Sequence, residues 1–503
     1  MAARKRSKKQ PTTRVDAHLS ALERFKPLLS PQEFDLLLAE LERPLHPSLR
    51  INQTKGDAGG GLPAMIERYG WQTRPIPYCS AGIWVSEAEP PISKAIEHLL
   101  GYYYIQDAAS MLPVELFDID PSDRPLVLDM AASPGGKTTH LVDRTQDLGL
   151  VIANDSSTSR LQALKLVLQN WSAANQVVTA YAGERIGGWF PSQFDLVLLD
   201  APCSMQGLRS TENHPMRPIT PREQTSLASR QQRLLESALQ AIKPGGQVVY
   251  STCTLSPEEN EGVLDGLLKQ YPETFSITDL SQRLHAPALT EADGFSYDPQ
   301  VAGAARLWPH RYGTSGFFAA LLKKTAEVPV ERRQPPSREF YKTGLEPLQR
   351  SERSRLFATI QTEYGFDFLP FIEQHRLALY QREERLYALP ERWLVEFSSL
   401  PYFSIGMLMG DLSADGFTPS LEWFSRFFSQ FDCGYYALPD DLVSAWLRGE
   451  DLPLDLSDRF HPGAIIAVCD DNRRLLGKGR VNPGRLKNQL PARLTYAVQG
   501  LKK

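Results

Sequence analysis

The chain has 503 residues, 42% of them hydrophobic and 23% charged, and a formal net charge of −4, so it is neither largely disordered nor basic throughout. Its length exceeds what one hydrophobic core holds and predicts about two to four domains, while no apolar run approaches the roughly 18–20 residues of a membrane span. Its five cysteines (79, 203, 253, 433 and 469) are scattered, odd in number and form no C-x-x-C. That pattern argues against a disulfide framework or a zinc knuckle and fits a cytoplasmic location, with no metal site expected.

Charge is unevenly placed. Residues 1–15 form a basic tail with five Lys or Arg in the first nine positions and no apolar core after them, so no secretory signal is read there. From 16 to 112 the pattern is mainly helical: Leu19, Leu22, Phe25 and Leu29 recur at helical spacing, and Phe34, Leu37, Leu38 and Leu41 repeat it after a Ser30-Pro31 start signal. Within this stretch PSLRIN (47–52) alternates as a half-buried strand, predicting that Arg50 and Asn52 share one exposed face. Gln106 and Asp107, after three tyrosines, stand just before the next domain and are expected near its cleft.

Residues 113–324 alternate strand and helix. Apolar strands are predicted at 125–130, 149–154, 176–181, 194–199 and 246–251, with helices between them, which predicts an α/β fold with a parallel, doubly wound sheet and a ligand at the carboxyl ends of its strands. Two later stretches, 304–307 and 316–322, are expected to pair antiparallel at the sheet edge. Residues 325–338 read as a Pro-rich, charged linker and 339–390 as a mixed segment. Residues 391–503 are expected to form a small β-rich barrel. The span Asn472 to Lys503 holds nine Lys or Arg and no acid, interleaved with apolar residues, as expected of a folded RNA-facing surface.

The first predicted strand runs into LVLDMAASPGGKTTHL (126–141). Gly135 and Gly136 let the backbone pass close to a ligand, and the helix that follows aims free N–H groups at the same place. The loop is not a Walker A motif, because Ala131 occupies the position of its first glycine, and it is not G-x-G-x-x-G. Asp155 ends the next strand, about twenty residues on, where dinucleotide folds carry a ribose-binding carboxylate. A ribose without a phosphate clamp points to S-adenosylmethionine; the alternative is a plain strand–turn–helix with Asp155 as a helix cap.

Two more strand ends carry reactive groups: FDLVLLDAPCS (194–204), ending in Asp200 and Cys203, and GGQVVYSTCT (245–254), ending in Cys253. Either thiol alone reads as a small buried hydrophobe. Together, at the ligand edge of one sheet, they read as chemistry.

DMAASPGGKTTH, DAPCSMQG and STCTLSPEENE, in this order, resemble the cofactor loop, fourth motif and sixth motif of the RNA 5-methylcytosine methyltransferases, the NSUN family. The likeness extends over roughly residues 40 to 324, through PSLRIN, YYIQDAASM and RLWPHRYGTSGFFAALLKK, and the basic C-terminal GKGR and LKNQLPARL resemble the last domain of its RsmF-like bacterial rRNA branch. The resemblance implies a class I methyltransferase domain, an N-terminal RNA-binding domain, a PUA-like C-terminal domain, S-adenosylmethionine as cofactor and RNA as partner. It implies Cys253 as the nucleophile toward carbon 6 of cytosine, Asp200 at N3 and near the methionine end of the cofactor, and Cys203 in product release. It carries over Ala131, Ala132, Ser133, Pro134, Gly135, Gly136, Lys137, Asp155 and Asp200 as cofactor-binding.

Two departures stand out. Ala182 replaces an acidic residue expected at the adenine amino group, with Glu184 as a possible substitute, and the loop after Cys203 carries His214, read as an exposed histidine rather than a proton shuttle. The expected activity is formation of 5-methylcytosine in rRNA, small-subunit 16S rRNA first, by a monomer. The alternatives are the same reaction on tRNA, or an RNA-binding ribosome-assembly factor without catalysis. DNA fits less well, because DNA cytosine enzymes attack with the Cys after Pro, which would leave Cys253 idle.

Overall fold

The computed structural model describes residues 21–57, 59–86, 88, 91–209, 217–492 and 494–495. The basic tail at 1–15, Leu19 and His214 lie outside the described residues. No helix among the described residues is long and apolar enough to cross a membrane.

The chain enters through a short 3-10 turn, Glu23–Leu28, and a helix, Pro31–Glu42, whose start is a capping box between Ser30 and Glu33 with Pro31 in the first turn. Four strands follow: β1 (Ser48–Ile51), β2 (Gln72–Ile76), β3 (Cys79–Ser86) and β4 (Tyr103–Ile105), paired antiparallel in the order β2-β3-β1-β4. The helical reading of this region foresaw only the first of them. It also misplaced Arg50 and Asn52, which are 0% and 5% exposed. β1 is an inner strand. Leu49 packs into the cluster of Met65, Trp71 and Val85, while Arg50 contacts the helix of the next domain, bonding Asp143, Thr139 (2.6 Å) and the Gly136 carbonyl (3.1 Å). The alternation is real, but both faces are covered.

The central sheet is built as expected from β5 (Leu126–Asp129), β6 (Leu150–Asn154), β7 (Gln176–Thr179), β8 (Phe194–Asp200) and β9 (Ile242–Thr252), all parallel to their neighbours in the order β9-β8-β5-β6-β7. β10 (Phe275–Ile277) and the strand Phe317–Lys324 extend it antiparallel beyond β9, and Ala305–Leu307 pairs with the latter. Both faces are apolar and covered. Leu128, Val197, Val248 and Leu235 pack on one side, and Val127, Leu164, Leu196 and Phe317 on the other.

At the far edge, Ser404–Ile405 from the C-terminal part pairs antiparallel with β7. The stretch 325–338 has no regular secondary structure but is tied down: the Arg333 N–H donates to the Gly188 carbonyl and the Arg338 N–H to Ser399. The boundary expected at 390/391 falls inside a five-stranded sheet, because Arg385–Pro390 pairs with Met407–Ser413. A second, four-stranded sheet holds Tyr435–Ala437, Ile465–Cys469, Leu475–Asn482 and Arg485–Asn488. The β-rich character expected of the C-terminal part is thus spread over two sheets.

Candidate active site

β5 ends in Asp129, and the turn after it is pinned to neighbouring strands: the Met130 N–H donates to Leu198 and the Ala132 N–H to Asn154. Gly135 takes φ +115° beside Leu164 and Val167, a conformation and a space that exclude a side chain. A Cβ on Gly136 would stand 2.8 Å from Tyr104 Cε1. Gly135 is therefore favoured by its backbone conformation, while a side chain at Gly136 would press on the Tyr104 ring.

A cavity of about 220 Å³ opens over this turn, walled by Asp129, the run Ala131–Pro134, Gly136, Lys137 and Asp200, with Tyr104, Gln106 and Ser110 opposite. Asp129 is buried; Thr138 Oγ1 donates to its Oδ2 (2.7 Å), and its Oδ1 has no hydrogen-bond partner. Burial, which disfavours the charged form, lifts its carboxyl to about 7 despite the Thr138 bond. An orphaned buried carboxylate oxygen in a glycine-floored cavity is what the ammonium of a methionine moiety would satisfy, so the residues present fit S-adenosylmethionine.

Lys137 Nζ donates to Asp200 Oδ2 (2.8 Å) and to Ser110 Oγ (2.8 Å), and Ser251 Oγ donates to Asp200 Oδ1 (2.8 Å). Burial, the largest single influence, would lower the Lys137 ammonium, but the charge and hydrogen bond of Asp200 together with the nearby Cys253 and Asp129 outweigh it and the net shift is upward. Asp155 sits apart from this cavity. Its carboxylate accepts from the Ser133 N–H (3.1 Å) and the Ser157 N–H (2.8 Å), bracing the glycine turn, and it is not the cap of the helix, which starts after Ser157. Glu184 is paired with Arg230 (3.1 Å), so its carboxylate is already engaged by helix Pro221–Ala241.

The two thiols meet. Cys203 Sγ and Cys253 Sγ are 3.3 Å apart, and the Ala201 N–H bonds the Ser251 carbonyl, tying the two strand ends together. The hydrogen bond to Cys253, together with burial, holds Cys203 well above the usual thiol range. Cys203 therefore keeps its proton, and either sulfur can donate in the shared contact. Asp107, expected near the cleft, instead caps helix Ala108–Glu115 and accepts from Ser315; Gln106 does reach the cavity wall.

Reading by motif missed the buried Glu259, which orders the Cys203 loop. It accepts from the Ser204 N–H (2.9 Å) and hydroxyl and from Gln231 Nε2 (2.9 Å), while Gln231 also donates to the Pro202 carbonyl. Its position inside STCTLSPEENE was the available signal, but a glutamate run reads by default as a solvated face.

With this geometry in view, residues 116–323 match the family model described as 16S rRNA methyltransferase RsmB/F, and residues 21–108 match that of the N-terminal domain of 16S rRNA methyltransferase RsmF. The chain is 33% identical over 466 residues to the ribosomal RNA small subunit methyltransferase F of Pectobacterium carotovorum, covering 91% of each protein. It is 31% identical over 492 residues to that of Erwinia tasmaniensis, covering 96% of this chain and 98% of the relative. A methyltransferase homolog protein from Pyrococcus horikoshii, solved by crystallography, matches at 32% identity and a TM-score of 0.51, over 61% of this chain and 99% of the other. The chain belongs to the ribosomal RNA small subunit methyltransferase F family.

Proposed function

We propose that this protein forms 5-methylcytosine in small-subunit 16S rRNA, using S-adenosylmethionine, through a transient bond between Cys253 and the target base. One observation supports the reading above others: two thiols 3.3 Å apart at the carboxyl edge of a parallel sheet, beside a carboxylate that also borders the cofactor cavity. The turn Ala131–Lys137 and Asp129 would hold the cofactor, with Asp155 bracing the turn from behind. When bound, the cofactor supplies an electrophilic methyl group.

Carbon 5 of cytosine is a weak nucleophile, and addition of the Cys253 thiolate to carbon 6 turns the ring into an enamine that attacks through carbon 5. Asp200 holds N3, donating to it when it carries a proton and so lessening the charge that builds on the ring, with Lys137 beside it. After the methyl is gained, a water molecule takes the proton on carbon 5, the electron pair re-forms the 5,6 double bond, and the Cys253–C6 bond breaks with its electron pair on the Cys253 sulfur. Cys203, held as a neutral thiol, serves this release by donating its S–H to that sulfur. The target base leaves its stack to reach the cleft, a task for the flanking N-terminal and C-terminal parts, with their basic terminal segments, on a monomer in the cytoplasm.

The test is transfer of labelled methyl groups to separate pools of rRNA and tRNA. Wild type is expected to label cytosine in rRNA, Cys253→Ala to be inactive, and Cys203→Ala to accumulate protein covalently held on RNA. Full activity in Cys253→Ala would overturn the nucleophile assignment. Labelling confined to tRNA would move the substrate, and silence on every pool with no cofactor binding would favour an assembly factor, to which Ala182 is the one pointer.

A further inference from the structure

The two thiol-bearing loops are joined by more than their own strand ends. Arg24, in the 3-10 turn Glu23–Leu28, lies over both. Its Nη1 donates to Gln206 Oε1 (3.0 Å) on the loop after Cys203. Its Nη2 donates to both carboxylate oxygens of Glu258 (3.0 and 2.9 Å) and to Ser256 Oγ (3.3 Å), on the loop after Cys253. Arg209 makes the reverse connection, from the Cys203 loop to the Glu40 and Arg43 carbonyls and the Glu40 carboxylate (2.7 Å) of helix Pro31–Glu42. Beneath them Ala21, Leu22, Phe25, Phe34 and Leu37 pack on Leu255, two residues past Cys253, and on Trp308. The first segments of the described chain thus form a cap seated on the catalytic loops rather than a separate module.

We propose that Arg24 is a positioning residue: its planar fork fixes the two loops relative to each other and so sets the separation of Cys203 and Cys253. This rests on the catalytic reading above. Magnitude favours positioning over stability. The Arg24 and Glu258 side chains are 24% and 37% exposed, and an ion pair that open to solvent adds little to folding, whereas small displacements between reacting groups cost much in rate. A lysine could hold Glu258 but not Gln206 at the same time, because it lacks the fork.

The test uses the full chain, as wild type, Arg24→Ala, Arg24→Lys and Glu258→Gln. Four quantities are read: methyl transfer to rRNA, S-adenosylmethionine binding, thermal midpoint, and the yield with which dibromobimane bridges Cys203 to Cys253, with Cys203→Ser as the blank. Arg24→Ala is expected to lower kcat by about a hundredfold and to cut the bridging yield, with cofactor affinity and midpoint unchanged. Arg24→Lys and Glu258→Gln should fall between it and wild type.

Wild-type kcat and bridging in Arg24→Ala would overturn the proposal. So would a parallel loss of cofactor binding and midpoint in Arg24→Ala and Glu258→Gln, which marks a structural brace. Should wild type methylate no RNA, the catalytic reading fails by itself, and the bridging yields still decide whether Arg24 sets the thiol separation.

Discussion

Asp129 and Arg50 show how burial sets the behaviour of single residues here. With its carboxyl lifted to about 7, Asp129 exchanges a proton near neutrality. A bound ammonium favours the ionised form, so cofactor binding releases that proton and affinity rises as pH increases through about 7. Calorimetric titration between about pH 5.5 and 7.5, below the ordinary range of an α-amino group, should show the rise in wild type and a flat, weaker affinity in Asp129→Asn. A wild-type affinity independent of pH would remove Asp129 from the ammonium. Arg50 is a second case. Burial already lifts the Asp143 carboxyl to about 7 with Arg50 beside it, so Arg50→Ala leaves a buried carboxyl against Trp171 Nε1 (3.0 Å) that must take up a proton or stand unpaired; the change is expected to cost about 3–5 kcal/mol in urea unfolding, whereas Arg50→Met with Asp143→Leu should recover most of it. Nothing in PSLRIN distinguishes this arginine from a surface one, because its partners lie about ninety positions away on another domain.

The elements around the site vary in how strictly their backbones are held. The loop after Cys203 passes against the loop after β9: the Gly207 N–H donates to the Cys253 carbonyl (3.0 Å), and the Gly316 N–H donates to Gly207 (2.7 Å). A Cβ on Gly207 would stand 2.3 Å from the Gly316 carbonyl oxygen and 2.8 Å from that of Cys253, both backbone atoms that cannot swing away. Gly207→Ala is therefore expected to push the thiol loops apart and lower methyl transfer by about a hundredfold, while S-adenosylmethionine binding survives, since the cofactor turn is built on other strands. Equal loss of both would mean that the loop also carries the cofactor. Helix starts, by contrast, were readable in advance. Ser30 with Glu33 and Thr220 with Glu223 form capping boxes that need only residues three apart.

Over the whole molecule, the C-terminal part is integral to the catalytic sheet. The Phe403 N–H donates to Val178 (2.8 Å), the Gly406 N–H to Gln176 (2.9 Å), and the Tyr181 hydroxyl to Pro401 (2.5 Å), so the edge strand β7 is paired rather than exposed. The buried Lys55 joins three regions, donating to Leu100 O (2.5 Å), Asn170 O (2.6 Å) and Ser425 Oγ (2.7 Å). A chain ending after Lys324 would bare β7 and leave this junction unmade. It is expected to appear mainly in the insoluble fraction on expression, with a lowered thermal midpoint in what remains soluble, as sedimentation and thermal unfolding would show. A fully soluble fragment of unchanged midpoint would show the catalytic sheet to be self-sufficient.

What the sequence by itself determined is whatever depends on neighbours along the chain: the strand–glycine turn–helix at 126–144, the alternation that makes a parallel sheet, and the order of the motifs that carry the carboxylate and the two thiols. Period, capping and turn chemistry act within a few residues, so their signals are local. Tertiary structure alone decided that Cys203 and Cys253, fifty positions apart, stand 3.3 Å from each other, that Arg50 is enclosed, that Asp155 braces the turn, and that one sheet crosses residue 390. Each of these depends on which surface arrives from elsewhere to cover a strand or fill a hydrogen bond, and burial by a distant partner leaves no periodic trace in the residues it covers.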